Sequence, residues 1–374
     1  MGLSALSTSS ISQADEGFSP DFSMILDGHY KSSSSALSET EKGFGLGHTE
    51  LSISAPVDDL FFGKLTGVVH QHDSKTEFEL EEAFIQTLST PMGLSIRAGR
   101  FLSNIGYLNS QHSHTDSFTD RPAAYRAMLG AHYYDDGARM EFLMPTDFYW
   151  TLGTEAFSGK KMQAPHFSNP ESVGVYTAYT KVGGDIGDSQ SWQAGLSYLH
   201  NRNGIAPVAA AHDHEDHDHH SHSHSHSHSH NAQFTAKHLY GADFVWKWAP
   251  DGNYKYQNIA LSGEYLRAQK FTQAENTKKD YHDGWYLSGV YQFLPQWATG
   301  VRYGEFNGTT IHDDHTHDQK LKETELMISW SHSHFSTFRL QYTHQSGEGF
   351  DHINNNVITL QYIMSLGAHD AHQF

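Results

Sequence analysis

From about residue 20 to its end, the chain repeats one pattern: roughly ten residues of alternating apolar and polar character, then a turn. Asn258 to Arg267 places Ile259, Leu261, Gly263 and Tyr265 on one face, and Asn258, Ala260, Ser262 and Glu264 on the other. Leu326, Ile328 and Trp330 oppose Glu325 and Ser329, and Phe338, Leu340 and Tyr342 oppose Arg339, Gln341 and Thr343. Trp285, Leu287, Gly289, Tyr291 and Phe293 form a further row. Near the start, Phe78, Leu80 and Phe84 are read as one face, with Glu77, Glu79 and Glu81 opposed. A period of two means strands whose faces meet different surroundings. In a soluble sandwich the polar face is outside; in a membrane barrel it lines the lumen and the apolar face meets lipid.

The connections favour the barrel. Short turns (Pro56 to Asp59, Thr90 to Gly93, Pro145 to Asp147, Ala249 to Gly252, Leu294 to Gln296) alternate with long segments at 32–44, 103–137, 158–172, 202–236, 269–283 and 307–321. Outer-membrane barrels have tight periplasmic turns and long outer loops. With a first strand near 21–31 running outward, the turns sort onto two rims and predict about sixteen antiparallel strands. That parity requires 103–137 to be one long third outer loop, although 124–134 (AAYRAMLGAHY) has a strand-like pattern. Such a loop is expected to fold into the lumen and narrow it. The last strand, Asn356 to Leu366, carries Ile358, Leu360, Tyr362, Met364 and Leu366 on one face, and the sequence closes on Phe374. This is the kind of terminal strand that outer-membrane assembly machinery reads.

Composition agrees and narrows the function. The 374 residues include no cysteine, so disulfides, thiolate metal sites and cysteine nucleophiles are all excluded. No apolar run of about 18 residues is present to make a membrane helix. A net charge of −19 with neutral histidines argues against nucleic acid and for cations as partners. Residues 1–14 read as the remnant of a signal peptide, with Ser12-Gln13-Ala14 as a small-residue cleavage site, and 15–374 as the barrel.

The candidate chemistry is histidine. Ten of the thirty histidines lie in 212–230, at His212, His214, His217, His219, His220, His222, His224, His226, His228 and His230, interleaved with acids and serines. Imidazole and carboxylate together suit zinc and its neighbours. With almost nothing apolar to bury, 202–236 is expected to be a disordered outer loop that holds ions weakly. Low-complexity drift and a pH-sensitive hydrophilic brush are the other readings of this tract. A second tract joins His312, Asp313, Asp314, His315 and His317; the other reading of it is a plain solvated loop. In the third loop His112, His114 and Asp116 are the candidates for a translocation site, against a surface hydrogen-bonding cluster. Glu77, Glu79 and Glu81 are expected to give the lumen negative charge. No nucleophile elbow, zinc-protease helix or phosphate loop is present, so no enzyme is expected.

Several short stretches resemble a group of porin-like outer-membrane proteins of Gram-negative bacteria linked to zinc-responsive regulation. They are Gly99-Arg100-Phe101 followed by Asn104, Gly106, Asn109, His112, His114, Phe118 and Asp120-Arg121-Pro122; Val182-Gly183-Gly184-Asp185; Ser191 to Leu196; and Ser365 to Phe374. That group often carries the label of TonB-dependent receptor, but the sequence leaves no room for a plug domain before the barrel. The resemblance implies a barrel for zinc entry and supplies no ligand set. The expectation is therefore a channel in the outer membrane for Zn²⁺ or another divalent transition metal, with no tightly bound cofactor. A general porin whose histidines only buffer metal, a barrel enzyme and a surface adhesin are the alternatives. Sixteen-stranded porins are commonly trimers, a fold-level analogy that makes a homotrimer one option and leaves trimer versus monomer open.

Overall fold

A computed structural model of the chain describes residues 20–72, 75–88, 90–164, 170–205, 231–272, 280–312, 315–353 and 355–367. The expected signal-peptide remnant, the 212–230 tract, Asp313, Asp314 and Phe374 lie outside the described residues.

Seventeen strands are described: β1 (Asp21–Lys31), β2 (Gly43–Leu46), β3 (Thr49–Pro56), β4 (Phe61–His72), β5 (Lys75–Thr87), β6 (Leu94–Leu102), β7 (Tyr134–Leu143), β8 (Tyr149–Phe157), β9 (Val175–Ile186), β10 (Gln190–Asn201), β11 (His238–Trp248), β12 (Asn258–Gln269), β13 (Tyr281–Leu294), β14 (Trp297–His312), β15 (His315–Ser333), β16 (Ser336–Glu348) and β17 (Asn356–Gly367). From β3 onward each strand pairs antiparallel with the next, β1 pairs with β2 and with β3, and β1 pairs with β17, which closes the sheet. β2 and β3 both pair with β1, one after the other, so they are two halves of one stave and the barrel has sixteen staves. Closure satisfies every strand edge, which a membrane requires.

The alternation settles which face meets lipid. On β15, Glu323 and Glu325 retain 3% and 1% of their exposure, whereas Leu326 retains 51%. Leu196 and Leu287 are likewise open on the outer wall. An apolar exterior around a polar interior is the membrane arrangement. Aromatic pairs such as Trp297–Trp330 and Phe338–Tyr362 sit at the short-turn end, and Tyr198–Tyr240 and Trp285–Tyr303 at the other, as girdles do at bilayer interfaces.

Two expectations about the connections change. The segment 307–321 is not a long loop: β14 and β15 continue pairing to His312↔His315, so this region is an extended hairpin. The third loop is one connection, as parity demanded, but its strand-like part is helical: α1 (Ala123–Leu129) is buried along its whole length. The apolar pattern of AAYRAMLGAHY reports real burial, but inside the barrel and not against lipid. Around α1 pack Phe101 and Ile105, loop residues Ala36, Met162 and Phe234, and the inward wall residue Phe306. The outer half of the barrel therefore holds an apolar core where a polar lumen was expected.

Polar contacts hold the third loop to the wall. Glu264 on β12 accepts from the Tyr107 and Leu108 amides (2.9 and 3.0 Å) and from the Tyr125 and Tyr286 hydroxyls (2.7 and 2.8 Å). Arg126 pairs with Glu323 at 2.5 Å and donates to the Ala36 and Leu37 carbonyls. Arg339 donates to the Asp116 carbonyl at 2.7 Å. Replacing Glu264 with Ala leaves four buried donors without their acceptor, each at about 1–3 kcal/mol where water does not substitute. E264A is expected to loosen the loop, giving faster proteolysis within 103–133 and a larger single-channel conductance; unchanged values of both would show that Glu264 does not anchor it.

Candidate metal site at the lumen constriction

Two irregular staves build the wall of the site. Between Ile25↔Glu50 and Gly28↔Leu46, three residues, Gly47 to Thr49, face two on β1. Gly47 leaves room for Asp27: a Cβ would stand 2.3 Å from Asp27 Oδ2 and displace that carboxylate, which Gln361 holds. Gly45 and Gly47 stand against the buried His29 and Asp27 on the inward side, and the extra residue shifts the alternation by one, so His48 and Glu50 follow on that same side. On β5 the register slips between Thr66↔Glu82 and Gly67↔Leu80, leaving Glu81 as the extra residue of a β-bulge. A bulge re-aims side chains. Glu81 and Glu82 are consequently both buried in the lumen, although they are adjacent. The bulge also reverses the alternation beyond it, so Phe84 packs inward and not on the lipid face with Phe78 and Leu80.

The third loop supplies the opposite half. His112 to Thr115 fold onto this wall, and after α1 the chain reverses through Gly130 (φ 62) and Ala131 (φ 73), which brings His132 to the same place. His112 Nδ1 lies 3.1 Å from Glu81 Oε2 and 3.4 Å from Glu50 Oε2, and its Nε2 lies 3.0 Å from Glu82 Oε2. His114 Nδ1 is 2.8 Å from Glu50 Oε1. On the other side of Glu81, Oε1 is 2.8 Å from His132 Nε2 and 3.4 Å from His48 Nε2. His48 Nε2 is buried with no hydrogen-bond partner. Lys64 Nζ is 3.0 Å from Glu82, so three carboxylates face one ammonium. Glu81 retains 2% of its side-chain exposure while His112 and His114 retain 15% and 16%, so solvent reaches the cluster from the imidazole side.

Two groups of three have the spacing of metal ligands: His48, Glu81 and His132, and Glu50, Glu81 and His112, with all donor atoms in each group within 4.8 Å of one another. Burial disfavours the His112 imidazolium, but Glu50 and Glu82 outweigh it and hold its pKa well above the ordinary histidine value.

Of the residues singled out from sequence, His112, His114 and Glu81 come together here. Asp116 does not: its carboxylate is held by Arg121 at 2.7 Å, and it supports the loop. Glu77 is exposed, and Glu79 pairs with Lys161 of the next outer loop, so neither joins the lumen cluster. His317 is exposed on β15 and lies in the hairpin, as do His312 and His315. His282, expected in a loop, is buried on β13 against Phe234 and accepts from the Thr309 amide at 3.1 Å. The 212–230 tract is outside the described residues, but the chain just beyond it is anchored: the Gln233 and Phe234 amides donate to the Ala127 carbonyl of α1, both at 3.0 Å. The described chain at 231–234 thus lies beside the constriction loop. His48, Glu50, Glu82 and His132 were missed. The adjacent acids Glu81-Glu82 within an alternating strand, and the glycines flanking His48, were the available signals.

A closed barrel with an apolar belt and a loop folded into its lumen defines a membrane-spanning β-barrel of porin architecture. No family model matches the chain. An uncharacterized protein of Aquifex aeolicus (strain VF5) is 28% identical over 420 residues, spanning all of this chain and 83% of that protein. Among solved structures, an anion-selective porin from Comamonas acidovorans superposes with a TM-score of 0.57 at 10% identity, over 93% of this chain and 99% of that one. The outer membrane channel DcaP of Acinetobacter baumannii gives 0.57 at 12%, over 93% and 96%. OmpF of Salmonella typhi gives 0.57 at 10%, over 94% and 98%. At these identities the likeness is one of fold: the porin-type barrel of Gram-negative outer membranes.

A metal ion that binds His112 must displace the proton its glutamates favour. Below that raised pKa, affinity is expected to fall about tenfold per pH unit for each proton displaced. Zinc titrations from about pH 8 to about pH 6 on a chain with the ten tract histidines changed to glutamine test this. Affinity independent of pH would remove His112 from the ligands.

Proposed function

We propose that the protein is a channel for divalent transition-metal ions, Zn²⁺ foremost, across the outer membrane. The observation that carries this reading is the constriction cluster, in which four imidazoles and three carboxylates from the wall and the third loop converge. Imidazole mixed with carboxylate favours zinc-like ions over magnesium and calcium, which prefer oxygen alone. The packed outer half of the lumen fits a small ion better than a bulky nutrient. The His-rich tract, which precedes the residues bonded to α1 in the sequence, would raise the local ion concentration through weak, exchanging sites. Conduction needs sites that release as well as bind, and solvent-reached imidazoles on a loop suit that. A trimer is the proposed assembly, by analogy with OmpT of Vibrio cholerae, which is described in a trimer form.

Zinc entry into liposomes with an internal fluorescent reporter tests the reading. Full-length protein is expected to admit Zn²⁺ well ahead of Mg²⁺. H112A/H114A is expected to lose most of that preference, on the order of tenfold if one ligand interaction of about 1.4 kcal/mol is removed. Removing 212–230 is expected to slow uptake at low zinc while leaving the preference in place. Equal preference in full-length protein and H112A/H114A would overturn the role of the constriction.

A further inference from the structure

We infer that the constriction holds two divalent transition-metal ions at once, with Glu81 bridging them. One ion would sit on His48, His132 and Glu81 Oε1, the other on Glu50, His112 and Glu81 Oε2. The inference rests on the metal-channel reading above and goes beyond it in the number of ions and their ligands.

The geometry is that of a shared carboxylate. The two ligand groups have Glu81 in common, and each uses a different oxygen of it: Oε1 faces His132 (2.8 Å) and His48 (3.4 Å), while Oε2 faces His112 (3.1 Å). Tetrahedral donors at zinc distances stand about 3.3 Å apart, so these separations need little adjustment. The bridge fits two-metal sites in general, where the ions lie roughly 3.5–4 Å apart. Burial fixes Glu81 between the two halves, because the bulge leaves it nowhere else to point. The second coordination layer is also present. His112 directs Nδ1 into the site while Nε2 meets Glu82, which Lys64 holds in turn, an arrangement that orients a metal-ligating ring. The buried Nε2 of His48, without a hydrogen-bond partner among the described residues, lies 3.4 Å from Glu81 Oε1.

Two cations this close repel each other, so the second ion to arrive weakens the hold on the first. That is the multi-site condition under which tight ligands still permit passage. A single ion on the same ligands would dwell longer and pass more slowly.

The test is crystallography of the full chain soaked in zinc chloride, with anomalous differences recorded at the zinc edge. Two peaks flanking the Glu81 carboxylate, roughly 3.5–4 Å apart, are expected. A single peak within the cluster overturns the two-ion inference and leaves the metal-channel reading standing. No peak within the cluster overturns both. H132Q, examined in the same way, is expected to keep only the peak at Glu50, Glu81 and His112; retention of both peaks, or loss of both with the barrel intact in the map, contradicts the assignment.

Discussion

The structure depends on keeping about thirty residues of chain inside a barrel. A loop that enters a lumen carries its backbone amides, carbonyls and charges out of bulk water, and each must find a partner there. The wall provides them: Glu264 takes four donors from loop and wall, Glu323 takes Arg126, and Arg339 takes the Asp116 carbonyl. Burial of α1 against Phe101, Met162 and Phe234 adds the apolar share. Only because the loop is fixed in this way do His112, His114 and His132 have defined positions. A loosely tethered loop would offer imidazoles without geometry.

The matching half of the site comes from breaking the regularity that makes the barrel. A perfect strand can point only alternate residues inward. The bulge at Glu81 places an additional ligand in the lumen, and the irregularity at Gly47 to Thr49 shifts the phase so that His48 and Glu50 face it, on staves separated only by β4. Between the two deviations and the loop, seven side chains from four separate segments converge. The carboxylates and His132 lie deepest and the other three imidazoles nearer solvent, an order suited to drawing in a cation and exchanging it.

Much of this was legible in the sequence. Strict alternation in segments such as Asn258 to Arg267 gave the strands, and turn length gave the rims. Strand parity alone required a single long third loop and so directed attention to His112 and His114. Less was legible where a pattern admits two physical meanings. AAYRAMLGAHY is apolar because it is buried, and period alone does not say whether lipid or a barrel core buries it. The 307–321 segment is polar on both faces and still pairs as a hairpin, because backbone pairing beyond the membrane needs no apolar face. Phe84 was assigned to the wrong face, and Glu82 overlooked, for one reason: a bulge between them shifts the phase by one residue. His48 and His132 lie far apart in the chain and are joined only by the folded loop. The long tract at 212–230, most conspicuous in the sequence, is a feeder in the proposed function, which assigns selectivity to a cluster it does not contain.

The central claim is that the constriction prefers zinc-like ions to magnesium through its imidazoles. The bi-ionic reversal potential of the full-length channel in planar bilayers, with zinc chloride on one side and magnesium chloride of equal activity on the other, reads that preference directly. The account predicts a reversal potential of the sign that favours zinc, moving toward zero when His112 and His132 are both replaced by alanine. A potential near zero in the full-length channel, or one unchanged by the double replacement, would contradict it.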